Sequence, residues 1–244
     1  MLHNHIKLAF RSLRKNRLFT FINILGLSIG MAASIMIYIW VQNEWSYDSF
    51  YEKTDQLNRV FCHWDGGGER IYIDAIPIMM RDKAKESLPE IKQFHLLRPN
   101  YRRPRISTEQ GIILEERRQA YVSEDWFETF DYKVIAGSVD AFKQDRYSIA
   151  LTEAAAKKYF GNQSAIGRVL SMEESNYTVR LVVEDQPSNS SFYYEVYIPL
   201  TAYWKDQVVY EEDYRNGNYN YIAFAETDKK VDREALAGKL SFLL

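Results

Sequence analysis

The residues of this 244-residue chain that are able to do chemistry are few and scattered. Cys62 is the single cysteine, which excludes an intrachain disulfide and any multi-cysteine metal site. Set in the strand-like stretch VFCHW, it reads as a small buried residue rather than a nucleophile. His63 and His95 are too isolated in the sequence to compose a metal site, and His3-x-His5 falls in a leader remote from everything else. No Ser, Cys or Thr occupies a nucleophile elbow. Glu184 and Asp185 adjoin at the end of a strand-like run, where successive side chains point to opposite faces and cannot share an acid–base task. The run Gly66-Gly67-Gly68 invites a phosphate-loop reading, but Glu69-Arg70 follows where Gly-Lys-Ser/Thr opening a helix is required, so it is a turn. These residues predict no catalytic, metal or cofactor-binding set on this chain, and hence no enzyme. The Tyr-rich segment YWKDQVVYEEDYRNGNYNY, residues 203–221, reads equally well as a binding surface or as the packed edge of a domain.

The strongest chemical signal is instead the separation of charge from apolar surface along the chain. Residues 1–43 hold Lys7, Arg11, Arg14, Lys15 and Arg17 and no acid, leaving 26 of the 31 basic residues to face all 33 acids in the rest. A cationic segment beside an apolar run points to anionic lipid rather than nucleic acid. From Leu18 to Val41 there are 24 residues without a charge, about 36 Å as a helix, against a hydrocarbon core of about 30 Å. A signal peptide has an apolar region of roughly 7–15 residues before its cleavage site. Here Ala32-Ala33-Ser34 is followed by the apolar IMIYIWV, so cleavage would fall inside the run. Basic residues on one flank and Tyr38, Trp40 and Trp45 on the other are the marks of a membrane span with its N-terminus in the cytoplasm.

Before the span, Leu2, Ile6, Ala9, Phe10 and Leu13 recur at helical spacing, with Lys7, Arg11, Arg14 and Lys15 on the other faces. This predicts an amphipathic helix on the membrane surface, each basic residue contributing about 1 kcal/mol near anionic lipid, with Arg17 at its end. Within the span Gly26, Gly30 and Ser34 recur at i, i+4 and i+8, a small-residue face that admits close approach of a second helix.

Beyond Trp45 the pattern is that of a mixed α+β domain, and 46% hydrophobic content suffices for its core. Strands are expected at 57–64 and 69–76 about the Asp65–Gly68 turn, with a helix from Pro77 to Ser87. Further strands are expected at 91–98, 103–107, 111–115 and 119–122, and Ser123 is expected to cap a helix bearing Trp126, Phe127 and Phe130. Then YSIALTEAAAKKYFG predicts a strand, the cap Thr152, a helix from Ala154 to Phe160 and the terminator Gly161. Strands at 168–172, 177–184, from 192 and near 220–226, with a helix from about 231, complete the reading. The expected division is a cytoplasmic amphipathic leader (1–17), a transmembrane helix (18–43) and an extracytoplasmic domain (44–244).

Three segments resemble one family. FRSLRKNRLFTFINILGLSIGMA is similar to the N-terminal helix and first span of FtsX/MacB-type permeases of ABC transporters. YVSEDWFETFDYKVIAG with SIALTEAAAKKYFGNQSAIGRVL, and then VRLVVEDQPSNSSFYYEVYIPL, resemble that family's periplasmic core domain. The resemblance implies a permease subunit in the bacterial inner membrane, without catalytic residues. Its expected partners are a cytoplasmic ATPase subunit, which binds the ATP, a second copy or second permease chain, and a periplasmic protein. It places Gly26, Gly30 and Ser34 in helix packing. Family members continue into three more helices, so the chain is expected to be either the N-terminal part of a longer permease or a single-span protein derived from one, and KLSFLL, a helix end without a stop signal, favours the former.

Overall fold

The computed structural model describes residues 5, 7, 11, 13–111, 113–172, 175–204, 207–228 and 231–243. The chain forms two compact units, residues 1–49 and 50–244.

The first unit is dominated by helix α1, Arg17–Trp45, 29 residues with none buried. Gly26 and Gly30 would weaken such a helix in water, by about 1 kcal/mol each relative to Ala. In lipid no solvent competes for backbone groups, and the helix is the conformation that satisfies them all internally. Ser34 follows that rule with its side chain, whose Oγ donates to the Gly30 carbonyl at 2.9 Å. The helix closes at Ser46, whose amide donates to the Gln42 and Asn43 carbonyls and whose Oγ donates to the Asn43 carbonyl at 2.7 Å. Residues 5, 7, 11 and 13–15 are also helical, and a bend at Asn16 separates them from α1. The expected apolar face at Leu2, Ile6, Ala9 and Phe10 lies outside the described residues.

The second unit runs β1 (Leu57–Val60), β2 (Cys62–Gly66), β3 (Glu69–Ile73), α2 (Ile78–Ser87), β4 (Ile91–Pro99), β5 (Arg105–Thr108), β6 (Ile113–Glu115), β7 (Gln119–Val122), α3 (Trp126–Thr129), β8 (Val134–Gly137), α4 (Val139–Gln144) and β9 (Ser148–Thr152). It continues with α5 (Glu153–Phe160), β10 (Val169–Met172), β11 (Ser175–Val183), β12 (Val196–Pro199), α6 (Leu200–Tyr203), α7 (Gln207–Asn216), β13 (Ile222–Thr227) and α8 (Arg233–Ser241). One mixed sheet orders its strands β1-β13-β4-β7-β12-β9-β11-β10-β5-β6, with β8 paired to β11; β2 and β3 form a separate hairpin. The β7–β12 and β9–β11 pairs are parallel, and the other pairs are antiparallel.

Alternation along the central strands feeds two cores on opposite faces. Tyr121, Ile149, Leu151, Val179, Val196 and Ile198 point to one, with α2, α5 and α8. Ala120, Val122, Ala150, Leu181, Val183 and Tyr197 point to the other, which holds an aromatic cluster. There Trp126 lies 4.2 Å from Phe130 and 4.9 Å from Phe192, and Phe127 lies 5.1 Å edge-on to Phe142, centroid to centroid. Such tilted and edge-on pairs add about 1 kcal/mol each beyond their burial.

Three expectations need correction. The run 57–64 is not one strand: β1 joins β13 in the large sheet, whereas β2 turns away after Phe61 to pair with β3. Ser123 does not cap α3 with its side chain; its Oγ accepts from the Leu96 amide at 2.5 Å, tying the loop to β4. The strand expected from 192 begins only at Val196, because Phe192 turns inward to the aromatic cluster. By contrast Thr152 caps α5 through a bond from the Ala155 amide at 3.3 Å, and Gly161, at φ +62°, ends it.

Gly137 is the position with least freedom. It has φ +82°, and a Cβ there would lie 2.1 Å from the Arg180 carbonyl oxygen on β11. Gly137→Ala is expected to destabilise the domain by about 3 kcal/mol, combining left-handed strain with a backbone collision. Thermal unfolding of the purified chain should show a lower midpoint, and an unchanged midpoint would refute the packing described.

Candidate functional site

On α1, Gly26, Gly30 and Ser34 fall on one face, where they line a shallow groove with Leu27, Met31 and Ile35. A Cβ added at Gly26 or Gly30 would meet nothing within 4 Å, so nothing within this chain requires glycine there. Ser34 adds no free donor, its hydroxyl being bonded within the helix, so the face is smooth as well as narrow. This is a surface against which another helix backbone can lie closely. Lys7, Arg11, Arg14, Lys15 and Arg17 are exposed and lie ahead of the apolar run. At the other end Tyr38, Trp40 and Trp45 are exposed, and Gln42 Nε2 donates to the Tyr38 hydroxyl at 2.7 Å.

Within the second unit the polar residues that burial makes conspicuous are structural ties. His95, expected to be isolated, is not: Nε2 lies 2.9 Å from Glu226 Oε2 on β13, and Nδ1 lies 3.2 Å from Asp125 Oδ2 and 3.3 Å from Thr129 Oγ1. Its partners lie 30 or more residues away along the chain, so no local spacing announces them. Both ring nitrogens therefore have hydrogen-bonding partners. At 1% exposure it reaches no substrate, and it joins β4, β13 and the approach to α3. Burial pushes the Asp125 carboxyl up, but the hydrogen bond and charge of His95, its own amide and Lys143 outweigh that, leaving it below the usual range.

Glu116 forms a second tie. It accepts from Lys158 Nζ at 2.8 Å, Tyr159 Oη at 2.7 Å and the Arg118 amide at 2.9 Å, joining the turn before β7 to α5. Burial pushes the Glu116 carboxyl up, but those three donors more than offset it and hold the carboxyl below the usual range. Tyr159 is shifted upward in turn, by burial first and then by Glu116. Asp213, also buried, accepts from the Tyr221 hydroxyl and, at 2.9 Å, from Asn220 Nδ2. Tyr221 is fully buried and bonded to Trp204 Nε1 at 2.9 Å, so much of the Tyr-rich segment is packed edge.

The candidates for chemistry disperse. Cys62 is buried, and burial pushes its thiol up to about 11, leaving almost no thiolate at neutral pH. Asp185 Oδ1 accepts from the Ala154 amide at 3.0 Å, adding a second cap to α5, while Glu184 accepts from Lys133 Nζ at 3.4 Å. No cluster of three metal-ligating side chains occurs among the described residues. A cleft of about 390 Å³ includes Arg81, Asp82, Lys92, Asp125, Lys143 and Trp204. Three of its cations are already paired, Arg81 with Asp82, Lys92 with Asp228 and Lys143 with Glu128, and Lys85 is the fourth cation in its lining.

Comparison with known proteins adds the following. The model of the family described as the MacB-like periplasmic core domain matches residues 20–241. The chain belongs to this family. Among solved structures it is similar to a domain of a protein described as a permease from Porphyromonas gingivalis, with TM-score 0.64, 20% identity, and coverage of 79% of this chain and 81% of that one. It is also similar to the periplasmic region of MacB from Actinobacillus actinomycetemcomitans, with TM-score 0.54, 16% identity and coverage of 78% and 83%. A third likeness is to the extracellular domain of the noncanonic ABC-type transporter YknZ from Gram-positive bacteria, with TM-score 0.50, 14% identity and coverage of 70% and 83%. At these identities the likeness is one of fold. No curated protein matches the chain.

The ties at Asp125 and Glu116 set the acid response of the domain. Both carboxyls have native values below their unfolded ones, so each contributes stability that is present above the unfolded value and is lost as pH falls through the depressed native value. Glu116→Gln is expected to cost about 2 kcal/mol at pH 7 and to flatten the acid limb of a stability–pH curve. Denaturant titrations between pH 7 and pH 3 measure both effects. Identical acid limbs in the wild type and the variant would contradict the assignment.

Proposed function

We propose that this member of the MacB-like family is a permease subunit of an ABC-type transporter. It is anchored by α1 with its N-terminus in the cytoplasm and presents residues after about 45 outside the inner membrane. The observation that carries the reading is the family match across residues 20–241, which takes in most of α1 as well as the sheet domain. Two further observations support it. The span exposes an apolar surface along its whole length, which only lipid or other spans accommodate. The basic residues Lys7, Arg11, Arg14, Lys15 and Arg17 gather on one flank, the side that insertion keeps in the cytoplasm.

On this reading the chain binds no nucleotide and performs no covalent step. ATP is bound by a separate cytoplasmic ATPase subunit, whose conformational change reaches the outer domain through the spans. The Gly26, Gly30 and Ser34 face is where α1 packs against the span of a second copy or a second permease chain. Packing of this kind rests on van der Waals contact, because lipid tails are as apolar as the helix and give no hydrophobic drive. The outer domain, tied by its buried ion pairs, engages a periplasmic partner in export, efflux or lipoprotein release.

The chain purified from its native membrane in mild detergent is expected to bring an ABC-type ATPase in fixed stoichiometry. The double variant Gly26→Leu/Gly30→Leu is expected to insert normally and to weaken span association roughly tenfold or more. Energy transfer between labelled copies in nanodiscs measures self-association, and size-exclusion with mass spectrometry measures the ATPase complex. A chain that stays monomeric and brings no ATPase would favour a membrane-anchored binding or sensing module instead.

A further inference from the structure

A second cleft in the sheet domain, larger than the one above, lies along the edge strand β1 and under α8, with a volume of about 600 Å³. That falls within the roughly 300–1,000 Å³ of small-molecule sites. Its floor is apolar: Val60, Cys62, Met80, Leu236 and Leu240 all lie in the core cluster and are each less than 9% exposed. Ala237, exposed on α8, leaves the mouth wide, and Phe61 stands half exposed beside it. The polar rim is one-sided in charge. Arg59, His63 and Arg233 line the cleft, and among the described residues no Asp or Glu does, in a region where acids outnumber bases.

The two arginines are not equivalent. Arg59 is held by Asp74 through Nε at 2.9 Å, and its guanidinium lies 5.4 Å over the Phe61 ring, so its charge is already used. Arg233 has no ion pair among the described residues. It also owes nothing to the end of its helix. Asp232 Oδ1 accepts from the Glu234 and Ala235 amides at 3.0 and 3.2 Å, so the first turn of α8 is already capped. A cleft with an apolar floor, and at its mouth an arginine that has no ion pair among the described residues, matches a molecule with a long apolar tail and an anionic head.

We propose that this cleft binds a single-chain carboxylate amphiphile, of the fatty-acid class, with its tail on the floor formed by Val60, Met80, Leu236 and Leu240 and its carboxylate at Arg233. The tail gains from leaving water in proportion to the apolar surface it covers. The head gains a charge-assisted bond, with the planar guanidinium suited to a carboxylate. The site is independent of ATPase coupling and stands if the permease reading fails.

The test uses the full chain in phosphatidylcholine nanodiscs with a photoreactive twelve-carbon carboxylate, its attachment points mapped by peptide mass spectrometry. Labelling is expected on peptides covering 57–63 and 233–241, and unlabelled dodecanoate should compete it away. Ala237→Trp, an exposed position that narrows the mouth, should abolish it, and Arg233→Glu should lower it by about tenfold, the loss of one charge-assisted bond. Circular dichroism of both variants should be that of the wild type. Labelling confined to the span, or unchanged by Ala237→Trp in a folded chain, would overturn the site. Equal competition by dodecanol or dodecyltrimethylammonium would overturn the anionic head. Suppression in phosphatidylglycerol nanodiscs as strong as that by dodecanoate would assign the cleft to a membrane lipid, overturning the single-chain ligand.

Discussion

The central strands of the sheet are buried on both faces, and the rest of the domain is arranged around that condition. β7, β9 and β12 carry no exposed residue, and β11 shields most of its length. Two of the pairings among these strands are parallel, a geometry that needs connections long enough to cross a face of the sheet and cover it. The segment from Gln144 to Val183 meets the need with α5, and the segment from Val122 to Val196 brings α3 and α4 to the aromatic face. A polar group taken into such a sandwich must find its partners within the protein. His95 and Glu116 do so by joining elements distant in sequence, so these buried polar groups hold the layers in register.

The same condition explains what could be read from the sequence. Strands covered on both sides appear as unbroken apolar runs, and SIALT and VYIP were legible for that reason, as was the switch from strand to helix at Thr152. Span α1 was legible because lipid demands an uncharged run of fixed length. What escaped depends on contacts remote in the chain. Nothing in FCHW says that β2 abandons β1 for a separate hairpin. Phe192 looks like a strand residue until the aromatic cluster formed by Trp126, Phe130 and Phe224 is present to receive it. His95 seemed solitary because Asp125 and Glu226 reach it only after β4 and β13 pair and α3 folds back. The cleft under α8 was invisible for the same reason, since its two walls lie some 170 residues apart.

The two units of the chain meet opposite physical demands. α1 exposes its apolar residues everywhere and requires a medium that accepts them, whereas the sheet domain encloses its own. A protein built this way has its position fixed by the membrane, and its outer domain keeps a definite shape through internal ties. That combination suits a component through which movement is passed between compartments, as proposed here, with any small-molecule site on the domain acting beside that task.

The central claim is that the sheet domain lies outside the cytoplasm, at the far end of the span from the basic flank. The most direct test places a cysteine at Tyr101, which is 84% exposed, and treats spheroplasts with a membrane-impermeant maleimide; the wild type, with only its buried Cys62, serves as the unlabelled control. The account predicts that Tyr101→Cys is labelled in intact spheroplasts as fully as after lysis. Labelling that appears only after lysis would place the domain in the cytoplasm and contradict it.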